Sequence, residues 1–250
     1  MRMRHALRDL RERVPGAMGA GGIGLLATLL GLVAVGLGFI ELSDEVRERE
    51  TQHFDERVLL ALRSPEEVHR PVGPPWLAEM ARDVTALGSV SVLALVVGAV
   101  SGFLLLVRRW RTLALVVGST LGGTLVNALL KRLFARPRPT VVPHLTEVVT
   151  ESFPSGHAML SAIVYLTLGA LLAQLVQRRR LKAYLVGVAL GLTLLIGLTR
   201  VYLGVHYPTD VLGGWMAGLG WALVTALVVR AARRRSPALR EESLGHTEPP

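Results

Sequence analysis

"PSGHAMLSAIVYLTLGALLAQLV" (residues 154–176) sets a Pro, a Ser, a Gly and a His directly ahead of an apolar run. From 158 to 176 that run carries no charged side chain, and it reaches the length that crosses a hydrocarbon core of about 30 Å. His157 sits at its edge, where an ionisable ring is costly away from water unless a partner or a function holds it. The segment therefore reads as a membrane-spanning helix with chemistry at its end.

Working outward, comparable apolar windows cover residues 17–40, 87–107, 113–130 and 211–229. A shorter one, 183–198, extends through Thr199 towards Leu203 and places Arg200 near its end. Composition agrees: of 250 residues 51% are hydrophobic and the mean hydropathy is +0.45, beyond the usual balance of a soluble domain. The expected fold class is all-α, an integral membrane bundle of six transmembrane helices. Arg2, Arg4, Arg8, Arg11 and Arg13 precede the first window as they would a secretory signal. That window is longer than the roughly 7–15 apolar residues of a signal and no cleavage site follows it, so an anchor is expected.

Lys and Arg in short loops stay on the cytoplasmic side. The N-terminal arginines, "RRWR" (108–111), "RRRLK" (178–182), and Arg230, Arg233, Arg234 and Arg235 fall on one side of the six-helix arrangement. Three domains are expected: a basic cytoplasmic N-terminus (1–16), the membrane domain (17–230) and a disordered cytoplasmic tail (231–250). The expected location is a bacterial inner membrane, with the other face turned to the periplasm or cell exterior.

The formal net charge of +9 is thus mostly topological, and no nucleic-acid partner is expected. The chain has no cysteine, which excludes disulfides and thiolate chemistry. In "WLAEMARDVTAL" (76–87), Trp76, Leu77, Met80, Val84 and Leu87 recur at helical spacing. An interfacial amphipathic helix anchored by Trp76 is expected before the second span.

The outer side breaks the charge rule with Lys131, Arg132, Arg136 and Arg138. Three clusters lie there at the ends of apolar segments: "KRLFARPRP" (131–139), "PSGH" (154–157) and "TRVYLGVHYPTD" (199–210). Pooled, they offer Lys131, Arg138, Arg200, Ser155, His157, His206 and Asp210. Cations gathered in a partly dry site repel one another unless an anion sits among them, and their forks and point charges suit a phosphate. Ser155 and Gly156 open a helix whose first N–H groups can face an oxyanion. His206 and Asp210 are four apart around Pro208, so the carboxylate can hold one ring nitrogen and leave the other as a lone-pair donor. His157 would face the leaving group and protonate it.

These residues resemble the type 2 phosphatidic acid phosphatase family, which shares its site with vanadium haloperoxidases. Its pattern is a Lys, six residues, then Arg-Pro; Pro-Ser-Gly-His; and Ser-Arg, five residues, His, three residues, Asp. Lys131 with Arg138-Pro139, then Pro154 to His157, then Arg200, His206 and Asp210 meet it. Thr199 stands where the family has Ser, and a second Arg-Pro at Arg136-Pro137 leaves the choice between the two arginines to spacing.

The resemblance implies a membrane lipid phosphatase in which His206 attacks phosphorus, Asp210 orients it and His157 is the general acid. Lys131, Arg138, Ser155, Gly156 and Arg200 would hold the phosphoryl oxygens, with no metal and no cofactor. Phosphatidate, phosphatidylglycerol phosphate and undecaprenyl diphosphate all present a suitable terminal phosphoryl group. A lipid-phosphate carrier or a non-catalytic binding protein on the same fold is the alternative, although carrier sites belong near the bilayer midplane. His5, His53, His69, His144 and His246 fit no pattern and are expected to be solvated.

Overall fold

A computed structural model describes residues 20–148 and 150–235. The expected N-terminal segment (1–16), most of the tail, His5 and His246 lie outside the described residues. Eight helices are described: α1 (Ala20–Glu48), α2 (Gln52–Ala61), α3 (Pro75–Ala86), α4 (Val90–Leu106), α5 (Trp110–Phe134), α6 (Gly156–Leu175), α7 (Arg179–Tyr202) and α8 (Pro208–Arg235). The last runs past the expected domain boundary at residue 230. No strand forms among the described residues; Arg63 and Pro71 make only an isolated bridge.

α1, α5, α6, α7 and α8 are each long and apolar enough to cross a membrane. The expected interfacial helix and the second expected span form a bent pair. α3 and α4 meet at 45°, because Ser89 caps α4 by accepting from the Val92 N–H at 3.3 Å. A Cβ on neighbouring Gly88 would lie 2.5 Å from Ile196 and 3.3 Å from the His157 ring. The expected start at residue 87 therefore falls in the link between the two helices, which is pressed against the site, and the second begins at Val90.

α3 itself begins at Pro75, where a missing N–H costs nothing. It turns Ala81 and Thr85 inward, and Ala81 packs against Leu203 and Val205. Trp76, Met80 and Leu87 stay exposed while Leu77 and Val84 are half-buried, so only part of the amphipathic pattern faces outward.

α6 sits at the centre. Its residues from Ala158 to Val164 are buried, which explains why an all-round apolar sequence is needed there. α8 approaches it closely through small residues: a Cβ on Gly214 would stand 2.6 Å from the Ser155 carbonyl, and one on Gly218 2.6 Å from the Met159 carbonyl. Such backbone contact is how apolar helices gain packing without a hydrophobic drive between them. Phe153, fully buried, stacks on Phe39 and meets Phe134 edge-on at 4.8 Å, tying the entry of α6 to α1 and α5. Leu30, Leu37, Leu95, Leu121 and Leu133 remain exposed on the outer faces, an apolar surface suited to lipid.

Candidate active site

The C-terminal ends of α5 and α7 and the N-terminal ends of α6 and α8 meet at one end of the bundle. Lys131 closes α5, Arg138 lies in the connection to α6, Gly156 and His157 open α6, Arg200 ends α7, and His206 lies in the turn before α8. All six line one pocket of about 730 Å³. The three sequence clusters, far apart along the chain, therefore converge.

Lys131, Arg138 and Arg200 are held by neutral partners. Lys131 Nζ donates to the Glu151 carbonyl. Arg138 donates through Nε to the Thr150 carbonyl at 2.6 Å and through Nη1 to the Val205 carbonyl at 2.6 Å. Arg200 Nη1 donates to Thr85 Oγ1 at 3.2 Å, while its buried Nε has no partner. Among the described residues none of the three pairs with a carboxylate at ion-pair distance. Burial holds Arg138 below the usual guanidinium range against the pull of Asp210 and Glu151. Cations in such a state gain from an anion placed among them.

His206 is 1% exposed. Its Nε2 lies 3.3 Å from Arg138 Nη1. A guanidinium can only donate, so Nε2 accepts and carries the lone pair. The ring hydrogen is then on Nδ1, which faces Asp210 Oδ2 and Ser152 Oγ, each at 3.4 Å. Burial pushes the His206 pKa down to about 3, Asp210 pulling it up and Arg138 and Arg200 pressing it further down. The ring is neutral at physiological pH, with its Nε2 electron pair on the pocket side, where it accepts from Arg138.

Asp210 is completely buried and both oxygens are engaged. Oδ1 accepts from Arg136 Nη1 at 2.7 Å. Oδ2 accepts from the Tyr207 N–H at 2.8 Å and from Ser152 Oγ, beside the His206 contact. The two arginines that spacing alone had to separate thus take different places. Arg138 faces the pocket, whereas Arg136 lies behind it, bonded to Asp210, to Asp55 Oδ2 at 2.8 Å and to Thr209 Oγ1 at 2.9 Å. Burial works to lower the Arg136 pKa, and Asp210 and Asp55 outweigh it, so the net shift is upward.

Ser155 is fully buried and does not line the pocket. Its N–H is donated to the Asp210 carbonyl at 2.9 Å and its hydroxyl has no partner. The Thr199 hydroxyl donates to the Ile196 carbonyl at 2.7 Å within α7 and is likewise outside the lining. His53, His69 and His144 are exposed, the last with Nε2 bonded to the Pro139 carbonyl at 2.7 Å.

Sequence reasoning missed Asp55, Ser152, Thr209 and Asn127. Asn127 lines the pocket with a buried, unpartnered Oδ1, and its place one turn before Lys131 in an apolar span was a usable signal. Asp55, in an acid-rich segment, carried none. Lower in the pocket, Val90, Thr124, Ala128 and Leu160 line the wall, and Thr124 stands about 10 Å along α5 from Lys131 at the helical rise. The site is a chamber lined by two imidazoles, by more cations than carboxylates, with Glu147 and Glu151 among the lining, and by a less polar wall along α5 and α6.

The family model described as PAP2 superfamily matches residues 111–234. Phosphatidylglycerophosphatase B of Bacillus subtilis (strain 168) is 33% identical over 194 residues, covering 75% of this chain and 89% of the relative. A lipid A 1-phosphatase of Rhizobium johnstonii is 34% identical over 115 residues, covering 42% of this chain and 43% of the relative. The crystal structure of a transmembrane PAP2-type phosphatidylglycerolphosphate phosphatase from Bacillus subtilis superposes with a TM-score of 0.74 at 28% identity. That superposition covers 82% of this chain and 98% of the other.

Proposed function

We propose, from the premise that this chain belongs to the PAP2 superfamily, that it removes a terminal phosphoryl group from a membrane lipid through a phosphohistidine on His206. The chain is an integral membrane lipid phosphatase, and its own side chains supply the chemistry. The His206 Nε2 lone pair attacks phosphorus, and the bond from phosphorus to the lipid oxygen breaks as His157, which takes up a proton when the phosphate dianion enters beside it, gives that proton to the oxygen. His157, now neutral, takes a proton from water, whose oxygen attacks phosphorus. The phosphorus–Nε2 bond breaks and phosphate leaves.

Asp210 keeps the Nδ1 hydrogen in place as the ring becomes cationic. Lys131, Arg138, Arg200 and the Gly156 backbone balance the charge on the phosphoryl oxygens. Ser155 supports the cradle from behind. No metal enters this scheme.

The observation that carries the reading is the setting of the His206 ring, with Nε2 3.3 Å from Arg138 on the pocket side and Nδ1 3.4 Å from Asp210. The less polar wall below the cations favours a lipid whose tail stays in hydrocarbon. Phosphatidylglycerol phosphate is the first substrate to test, because the relative that acts on it covers most of this chain. The basic N-terminal ends of α5 and α7 lie opposite the site, which supports an active site facing away from the cytoplasm.

The test uses purified protein in micelles. His206→Ala abolishes phosphate release, whereas His157→Ala slows a lipid leaving group far more than nitrophenolate and accumulates an acid-labile phosphoenzyme from nitrophenyl phosphate. Turnover near wild type in His206→Ala ends the mechanism.

A further inference from the structure

We propose that Arg136 and Asp55 are positioning residues for phosphoryl transfer, forming a buried ion relay that runs from α2 to the nucleophile and fixes Asp210 against His206. The inference rests on the reading of His206 as nucleophile. Neither residue lines the pocket, so neither can touch substrate, and any effect on the reaction passes through Asp210.

The geometry has two arms. In the first, the Arg136 fork bridges two carboxylates, with Nη1 on Asp210 Oδ1 at 2.7 Å and Nη2 on Asp55 Oδ2 at 2.8 Å. The guanidinium carbon lies 4.3 Å from the centre of the Tyr207 ring, which holds it in place. With Oδ1 taken by Arg136, the Asp210 carboxylate cannot rotate freely, and Oδ2 is left for His206. In the second arm, Asp55 accepts from the Thr209 N–H at 3.1 Å and from Thr209 Oγ1 at 2.5 Å. Thr209 adjoins Asp210, so Asp55 also pins the backbone from which Asp210 projects.

Charge points the same way. Two carboxylates and one guanidinium leave the cluster with an excess negative charge while His206 is neutral. Attack through Nε2 makes the ring cationic with Nδ1–H still facing Asp210, and the cluster of four groups becomes balanced. The relay is therefore better matched to the phosphorylated than to the resting ring, the difference that accelerates a step. Stability alone is a poor account, since a buried ion cluster is often no more stabilising than well-packed apolar side chains. Ser152 completes the setting by donating to Asp210 Oδ2.

The experiment is a double-variant cycle on the full chain in micelles, with long-chain phosphatidylglycerol phosphate as substrate. Asp55→Asn keeps the shape and removes the charge. It should lower kcat about tenfold with KM within about twofold of wild type, the signature of an interaction expressed in the transition state. In an Asp210→Asn background the same change should cost less than about twofold, because the two act as a unit. Arg136→Lys keeps the charge but cannot bridge both carboxylates, and it should lower kcat in the same way. It carries the test if Asp55→Asn does not accumulate in the membrane.

Unchanged kcat in these single variants overturns the relay. So does an equal fold loss of Asp55→Asn in both backgrounds, or a fall that simply follows a lowered unfolding temperature. His206→Ala is assayed beside them. An active His206→Ala removes the nucleophile reading itself, whereas an inactive one with fully active Asp55→Asn removes only the relay.

Discussion

Arg138→Met takes one of the three cradle cations, Lys131, Arg138 and Arg200, out of the pocket and leaves a side chain of similar reach. Arg138 Nη1 lies 3.3 Å from His206 Nε2, so the oxygens of a phosphoryl group bonded to that nitrogen fall within contact of the guanidinium. A unit-charge contact at about 4 Å is worth about 4 kcal/mol at an effective dielectric of about 20. Loss of one preorganised donor to a developing oxyanion costs about 10²–10³ in kcat, or about 2.7–4 kcal/mol. The two routes agree, so kcat/KM for the lipid phosphate should fall about 10²–10³-fold, and the concentration of vanadate needed for half inhibition should rise in step.

Stability should move little. Burial already disfavours the charged Arg138 in the fold relative to the unfolded chain, so its removal relieves a cost. That gain offsets the lost bonds to the Thr150 and Val205 carbonyls. Arg136→Met is the contrast: it strands Asp55 and Asp210 in the interior and should lower the unfolding temperature by several degrees. Phosphate release and vanadate inhibition in micelles, with thermal unfolding of the same samples, read all three quantities. Should Arg138→Met keep kcat/KM and vanadate inhibition within about threefold of wild type, the assignment of Arg138 to the phosphate cradle is wrong.

Among the described residues no three His, Asp or Glu gather to hold a metal ion, and activity is expected to survive excess EDTA while vanadate inhibits; loss in EDTA with recovery on adding Mg²⁺ contradicts this. His206, pushed down to about 3, should stay neutral through pH 5 by ¹⁵N-histidine NMR of wild type against His206→Gln. Its share of folding stability is full above the unfolded-chain value of about 6.5 and is lost as pH falls from there towards 3. A ring that takes up its proton near pH 6.5 refutes the burial argument. Gly214→Val must push α8 away from the Ser155 carbonyl, 2.6 Å from the new Cβ, and should lower both the unfolding temperature and kcat. Gly36→Ala, with nothing within 4 Å of its new methyl group, should leave both unchanged.

The spans and the three clusters were readable because they are local. An apolar window must match the thickness of the hydrocarbon wherever the rest of the chain goes, and the spacing of Pro154 to His157 follows from one helix start, that of Arg200, His206 and Asp210 from one short turn between two helices. The relay left no such trace, because Asp55 and Thr209 are 154 residues apart and nothing in an acid-rich segment marks which carboxylate will be buried. The same holds for Ser152, whose hydroxyl matters only once α8 brings Asp210 beside it. Spacing separated Arg138 from Arg136, but packing decided what each one meets. Arg138 faces the pocket, and Arg136, two residues earlier in an irregular segment, turns to the opposite side between two carboxylates. Likewise, hydropathy started the second span at residue 87, while the link pressed against Ile196 and His157 at Gly88 delays the helix to Val90. Periodicity and spacing record constraints along one helix; the partners of a buried charge are set by which helices pack together, and that is a property of the assembled bundle alone.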